Sequence, residues 1–260
     1  MSCDSEFLWT SAARTDIGLV RSRNEDAYLA QPQRGLWAVA DGMGGHAFGD
    51  LASRAVVEAL DSVATPENLQ QFVDATRDRL DQVNQDLRAD ARTRRVPVMG
   101  STVVALLACG SEAACLWAGD SRAYLFRDGR LQQLTRDHSL AEERRSRGAG
   151  AGAAASAAAP PAATAANMIT RAVGAADTIE AELATLAARD GDMFLLCSDG
   201  LSNMVDAQAI TDALAPGDCA RAAQELITLA LAHGGRDNVT VVVVRVDDVS
   251  GDKTMLNPAL

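Results

Sequence analysis

Four short apolar runs each meet an aspartate at one boundary, and this pattern constrains the chain more than any other feature. They are Leu36–Ala40 before Asp41, Ala113–Ala118 and Gly119 before Asp120, Met193–Cys197 and Ser198 before Asp199, and Asp237-Asn238 before Val239–Val246. Runs of five to eight apolar residues suit strands buried on both faces. A fifth acidic point, Asn24-Glu25-Asp26, opens another predicted strand. Any one such aspartate is explained by the turn that follows a strand. All of them together, flush against segments that must be buried, point to carboxylates gathered at one end of a core.

Two carboxylates about 5 Å apart repel by roughly 3 kcal/mol at an effective dielectric near 20. Several together therefore demand a cation. Hard oxygen donors without Cys or His among them select Mg²⁺ or Mn²⁺ over zinc. The three histidines, His46, His138 and His233, have no zinc spacing and read as turn or surface residues.

The rest of the chain reads as strands with few helices between them. Further strands are expected at Trp9–Ile17, Asp26–Ala30, Thr102–Ala108, Arg122–Arg127, Leu131–Leu134 and Ile179–Leu186, with Asp128-Gly129 as a hairpin turn. Helical spacing covers Ala47–Val63, Pro66–Ala91 and Cys219–His233, and Ser139 with Glu142 forms a capping box before a short helix. This order favours antiparallel sheets covered by helices over a doubly wound parallel sheet. Between Ala149 and Ala166, twelve of eighteen residues are Ala, interrupted by Gly150, Gly152 and Pro160-Pro161. That composition reads as a mobile loop.

Charge and cysteine content exclude several classes. A formal net charge of −11 over 260 residues disfavours nucleic acid and anionic lipid as partners. Cys109, Cys115 and Cys197 sit in apolar runs as small hydrophobes, and the absence of C-x-x-C suggests a reducing cytoplasm. The first residues carry acids where a secretory signal carries bases, and no run approaches the roughly 20 apolar residues of a membrane span. The expectation is a cytoplasmic monomer without an anchor. No cysteine has Arg six positions later, and neither a G-x-x-x-x-G-K-[ST] loop nor a G-x-S-x-G elbow is present. What remains is hydrolysis by metal-activated water.

Eight motifs in order carry a resemblance. They are Gly18-Leu19-Val20-Arg21 with Asn24-Glu25-Asp26, Val39-Ala40-Asp41-Gly42, Gly100-Ser101-Thr102, Gly119-Asp120-Ser121-Arg122, Thr135-Arg136-Asp137-His138, Thr170-Arg171-Ala172-Val173-Gly174, Ser198-Asp199-Gly200 and Asp237-Asn238-Val239-Thr240. From about Arg14 to Val246 the chain resembles the bacterial PP2C-type (PPM) protein phosphatases. The resemblance implies an α+β fold, an α-β-β-α sandwich of two antiparallel sheets flanked by helices. It implies one domain over residues 9–248, with a flap at about 140–168 and a short polar tail at 249–260.

It also implies a binuclear Mg²⁺ or Mn²⁺ centre. Asp41 would bridge the two ions, with the Gly42 carbonyl as a backbone ligand. Asp199 and Asp237 would hold one ion, and Glu25 and Asp26 the other, partly through water. Asp120, with Asp199, resembles the ligands of a weaker third site. Arg21 matches the residue that grips the substrate phosphate; its planar fork suits two phosphate oxygens. Strand alternation would place Arg23 on the same face as its rival. Two departures stand out: Asn203 occupies a position that is Asp in many relatives, and Met43 follows Asp-Gly where some animal relatives carry His.

The implied activity is removal of phosphate from phosphoserine and phosphothreonine on proteins, reversing a partner Ser/Thr kinase. Two other readings remain open at this point: a catalytically weak pseudophosphatase that binds phosphoproteins, which Asn203 alone supports, and a hydrolase for small phosphate esters.

Overall fold

A computed structural model describes residues 7–43, 48–64, 66–148 and 168–249. His46, the whole alanine-rich stretch from 149 to 166, and the tail from residue 250 lie outside the described residues.

The strands are β1 (Phe7–Asp16), β2 (Asp26–Gln31), β3 (Leu36–Met43), β4 (Gly100–Ser101), β5 (Val103–Cys109), β6 (Glu112–Ala118), β7 (Arg122–Arg127), β8 (Arg130–Gln133), β9 (Glu182–Ala187), β10 (Met193–Cys197) and β11 (Val239–Asp248). The helices are α1 (Gly49–Asp61), α2 (Leu69–Arg94), α3 (Leu140–Gly148), α4 (Asp199–Ser202), α5 (Ala207–Leu214) and α6 (Cys219–Ala232). One sheet runs β1-β11-β10-β7-β8 and the other β2-β3-β5-β6-β9, with β4 pairing β3. Every pairing in both is antiparallel.

Period-two alternation explains why the apolar runs are continuous. Trp37 and Val39 of β3, Phe194 and Leu196 of β10, and Val242 and Val244 of β11 meet between the sheets, where Trp9 stacks on Phe194. Their strand neighbours point outward under helices: Leu36, Ala38 and Ala40 under α1 and α2, and Leu195, Val241 and Val243 under α5 and α6. Both faces are buried, so neither can be polar. The result is the expected α-β-β-α sandwich.

Local signals hold at several boundaries. Asn68 caps α2 by accepting from the Gln71 N–H at 3.0 Å. Ser139 Oγ accepts from the Glu142 N–H at 3.3 Å as α3 begins. Asp128 and Gly129 both take positive φ, 52° and 73°, in the tight turn from β7 to β8.

Other expectations need correction. β3 does not end at Ala40 but runs through Asp41 to Met43, because β4 pairs its last two residues. Residues 17–25 are turns and bends, so strand alternation does not relate Arg21 to Arg23. His138 is not a surface residue: it is 4% exposed and stacks on Trp117 with ring centroids 6.2 Å apart. Cys115 and Cys197 are buried as small hydrophobes; Cys109 also packs against the core, partly buried, and is disulfide-bonded.

Candidate metal centre

The site forms where strands from both sheets reach one end of the sandwich. β2 and β3 pair in a register that sets Asp26 directly opposite Asp41. Asp41 is fixed by its backbone: its N–H donates to Thr102 Oγ1 at 3.0 Å, and its carbonyl accepts from the Thr102 N–H at 2.9 Å. Asp26 Oδ2 accepts from Ser198 Oγ at 2.8 Å, which ties the second sheet to the end of β10 in the first. Asp199 opens α4, directly after Ser198. Asp237 lies just before β11 and pairs with Arg21, Nη2 to Oδ2 at 2.6 Å.

Gly42 and Gly49 show how tightly Glu25 is drawn in. A Cβ on Gly42 would meet the Gly49 carbonyl at 1.9 Å and the Glu25 carbonyl at 2.7 Å. A Cβ on Gly49 would meet the Gly42 carbonyl at 2.8 Å and Glu25 Oε2 at 2.9 Å. Only glycine permits this approach, and it brings the Glu25 carboxylate and the Gly42 carbonyl to one spot at the N-terminus of α1.

Electrostatics tie the aspartates into one group. Burial pushes the Asp26 carboxyl up to about 7 despite hydrogen bonds from Thr240 and Ser198, and the charges of Asp199 and Asp237 add to the rise. Asp41 is held well above the ordinary carboxylate range by burial and then by Asp26, Asp199, Asp120 and Asp237. Burial, followed by Asp199 and Asp137, raises Asp120 to about 7. Asp199 rises to about 6, again mainly from burial and then from Asp237, with Arg21 and Arg122 opposing. Arg21 feels Asp237 first, then Asp41 and Glu25, and its guanidinium is held more firmly protonated than usual. These charges link Asp26, Asp41, Asp120, Asp199 and Asp237 into one group, and Glu25 joins it through Arg21.

A divalent cation fits this group. Asp26 Oδ1 and Asp120 Oδ1 are buried without a hydrogen-bond partner among the described residues. Orphaned carboxylate oxygens inside a crowd of like charges are what a hard dication satisfies. Among the described residues, no three His, Cys, Asp or Glu side chains stand close enough together to hold an ion as they are placed. The fit lies in the shared charge and the orphaned oxygens. Beside the cluster, a hollow of about 150 Å³ is lined by Asp120, Arg122, Asp137, Glu142, Asp199 and Asn203. A larger hollow of about 450 Å³ at the β7–β8 hairpin contains none of the clustered aspartates.

The protein phosphatase 2C family profile matches residues 20–226. The chain belongs to this family. PstP of Mycobacterium tuberculosis, a serine/threonine protein phosphatase, is 38% identical over 251 residues, covering 94% of this chain. The chain spans 46% of that relative's length. The serine/threonine phosphatase stp of Listeria monocytogenes is 33% identical over 246 residues, covering 90% of this chain and 94% of stp. Among solved structures, PppA, described as a key regulatory component of T6SS in Pseudomonas aeruginosa, superposes with TM-score 0.84 at 43% identity, covering 92% of this chain and 97% of its own. The catalytic domain of PstP in complex with two manganese ions gives TM-score 0.81 at 37% identity, covering 93% and 100% of the respective chains. The fold is thus that of a protein phosphatase 2C catalytic domain.

Sequence reasoning missed several supporting residues. Ser198 and Thr102 are small hydroxyls whose partners lie far along the chain. Asn203, a departure from the family pattern, donates its Nδ2 to Asp199 Oδ2 at 3.1 Å. Asn238 accepts the Glu25 N–H on Oδ1 at 2.8 Å. Its place beside Asp237 before a β run, within the Asp237-Asn238-Val239-Thr240 motif, is its signal in the sequence.

Proposed function

We propose that this domain is a protein serine/threonine phosphatase that hydrolyses phosphoserine and phosphothreonine at a binuclear Mg²⁺ or Mn²⁺ centre and opposes a Ser/Thr kinase. The observation that carries this reading is the buried, mutually repelling aspartate group with Arg21 at its edge. Family membership supports the reaction class. The two manganese ions of the PstP structure support the metal count, and the regulatory description of PppA supports a signalling role.

Asp41 would bridge the ions, Asp199 and Asp237 would complete one site, and Glu25, Asp26 and the Gly42 carbonyl would complete the other. Asp120 with Asp199 would offer a weaker third site. When bound, the ions supply an acidified water and neutralise charge on the ester. The chain's residues do the rest. The Thr102 and Ser198 hydrogen bonds hold Asp41 and Asp26 against their mutual repulsion. Arg21 orients the phosphate through its planar fork, exchanging its contact with Asp237 for two phosphate oxygens. Among the described residues, no helix is long and apolar enough to cross a membrane.

Substrate class is decided by comparing turnover of phosphothreonine and phosphoserine peptides with a panel of small phosphate esters. Preferential kcat/KM for the peptides is expected. Preference for one metabolite, with peptides untouched, would contradict the protein-substrate reading. Peptide binding without turnover in Mn²⁺ would instead indicate a pseudophosphatase.

A further inference from the structure

The segment from residue 17 to residue 25 leaves β1 in one sheet and enters β2 in the other, so it crosses the end of the sandwich where the aspartates gather. It carries Arg21 and ends on Glu25, and it has no strand or helix of its own. One side chain fastens it at both ends. Asn238 Nδ2 donates to the Ile17 carbonyl at 2.9 Å and to the Arg23 carbonyl at 2.8 Å, while its Oδ1 accepts the Glu25 N–H at 2.8 Å. Both donors and the acceptor are used, and the residue is 6% exposed.

The same stretch provides a seat for the start of the crossing. The Leu19 N–H donates to the Gly235 carbonyl at 2.7 Å, and a Cβ on Gly18, where φ is 79°, would meet the Asp237 carbonyl at 2.3 Å. Asn238 also sits next to Asp237, the partner of Arg21, and its N–H donates to Asp237 Oδ1 at 2.9 Å.

We propose that Asn238 is a positioning residue for phosphate binding: it clamps the crossing segment so that the Arg21 guanidinium and the Glu25 carboxylate face the aspartate group from one fixed backbone. This rests on the reading of Arg21 as the phosphate grip. A turn segment of this length has many accessible conformations, and reorienting Arg21 by about 1 Å can cost on the order of 10²-fold in rate. Aspartate cannot substitute for Asn238, because a carboxylate offers no donor to the two carbonyls and adds another charge to the cluster.

The test is a double-mutant cycle with two readouts. Asn238→Ala and Arg21→Ala are made singly and together in the full chain, with the near-isosteric Asn238→Asp as a second probe. The first readout is kcat/KM on a phosphothreonine peptide. The second is hydrogen exchange of the residue 17–25 amides in metal-free protein. Asn238→Ala is expected to lower kcat/KM by about a hundredfold, but by less than about tenfold when Arg21 is already Ala, because coupled residues are not additive. Exchange of the Glu25 amide is expected to accelerate in Asn238→Ala, which loses its acceptor, and exchange of the Leu19 amide in both Asn238 variants, which lose the donors to the segment, while the core strands stay protected. Equal losses with and without Arg21, or unchanged exchange, would overturn the proposal. Global unfolding of both Asn238 variants would also overturn it, since Asn238 would then hold the fold and not the segment. If Arg21→Ala alone leaves turnover intact, the reading of Arg21 fails. Accelerated exchange with weakened Mn²⁺ binding by calorimetry then retains Asn238 as the residue that places Glu25, and unchanged exchange rejects it.

Discussion

Asp26 and Asp41 stand directly opposite each other across the β2–β3 ladder. Like charges in that position destabilise a sheet pair. Asp26 and Asp120 are raised to about 7 and Asp199 to about 6, mainly by burial, and Asp41 is held well above the ordinary carboxylate range. A carboxyl with a raised folded-state pKa stabilises the fold fully below its unfolded pKa, near 4, and loses that contribution as pH rises through the folded pKa. The melting temperature of metal-free protein should therefore fall between about pH 4 and pH 7. Mn²⁺ should remove that fall, because bound cations stabilise the charged form. Calorimetric melting across this range, with EDTA and with Mn²⁺, checks both parts.

Neutralising one member of the aspartate group should separate stability from activity. Asp41→Asn and Asp199→Asn are each expected to lower kcat by roughly a thousandfold, about 4 kcal/mol of transition-state stabilisation. The same variants should melt at or above the wild-type temperature in EDTA, because one repelling charge has gone. Retention of more than about a tenth of wild-type kcat by Asp41→Asn, a cost under ~1.4 kcal/mol, would remove its bridging role.

Arg21 and Arg23 should differ in kind. Arg21 lies against Asp237 and feels Asp41 and Glu25, so its loss removes the phosphate grip and also a cation competing for Asp237. Arg21→Ala should lower kcat/KM for phosphopeptides by about a hundredfold while tightening Mn²⁺ binding in titration calorimetry. Arg23→Ala should do neither. The reverse ranking would reassign the grip to Arg23.

Much of this architecture was legible in the sequence. The strands between the helix pairs read clearly because burial on both faces leaves unbroken apolar runs, as in Met193–Cys197 and Val239–Val246. Helix α5 was not anticipated; its eight residues give little more than two turns of periodicity, and its Asp206 cap resembles any turn aspartate. The clustering of the acids followed from strand boundaries, but the path of Arg21 did not. That path is set by Asn238, more than two hundred residues away, and local alternation carries no trace of such a bond. His138 was misjudged for the same reason: its burial comes from the Trp117 face and the Gly119 N–H, neither adjacent to it in sequence.

Asn203 now donates its amide to Asp199. Asn203→Asp would replace that donor with a charge beside Asp120 and Asp199, favouring a further hard cation. Titration calorimetry should show one additional Mn²⁺ per chain, and Asp120→Ala in that background should abolish it. The Asn203→Asp protein should also melt lower than wild type in EDTA. Unchanged stoichiometry would make Asn203 a structural amide only.

The central claim, that the aspartate group works as a divalent-metal centre for phosphoester hydrolysis, is tested most directly by phosphate release from a phosphothreonine peptide. The time course is followed in Mn²⁺, after excess EDTA, and after Mn²⁺ is restored. Release should stop on chelation and return to its initial rate on restoration, with Asp41→Asn inactive throughout. Undiminished release in excess EDTA would contradict the account.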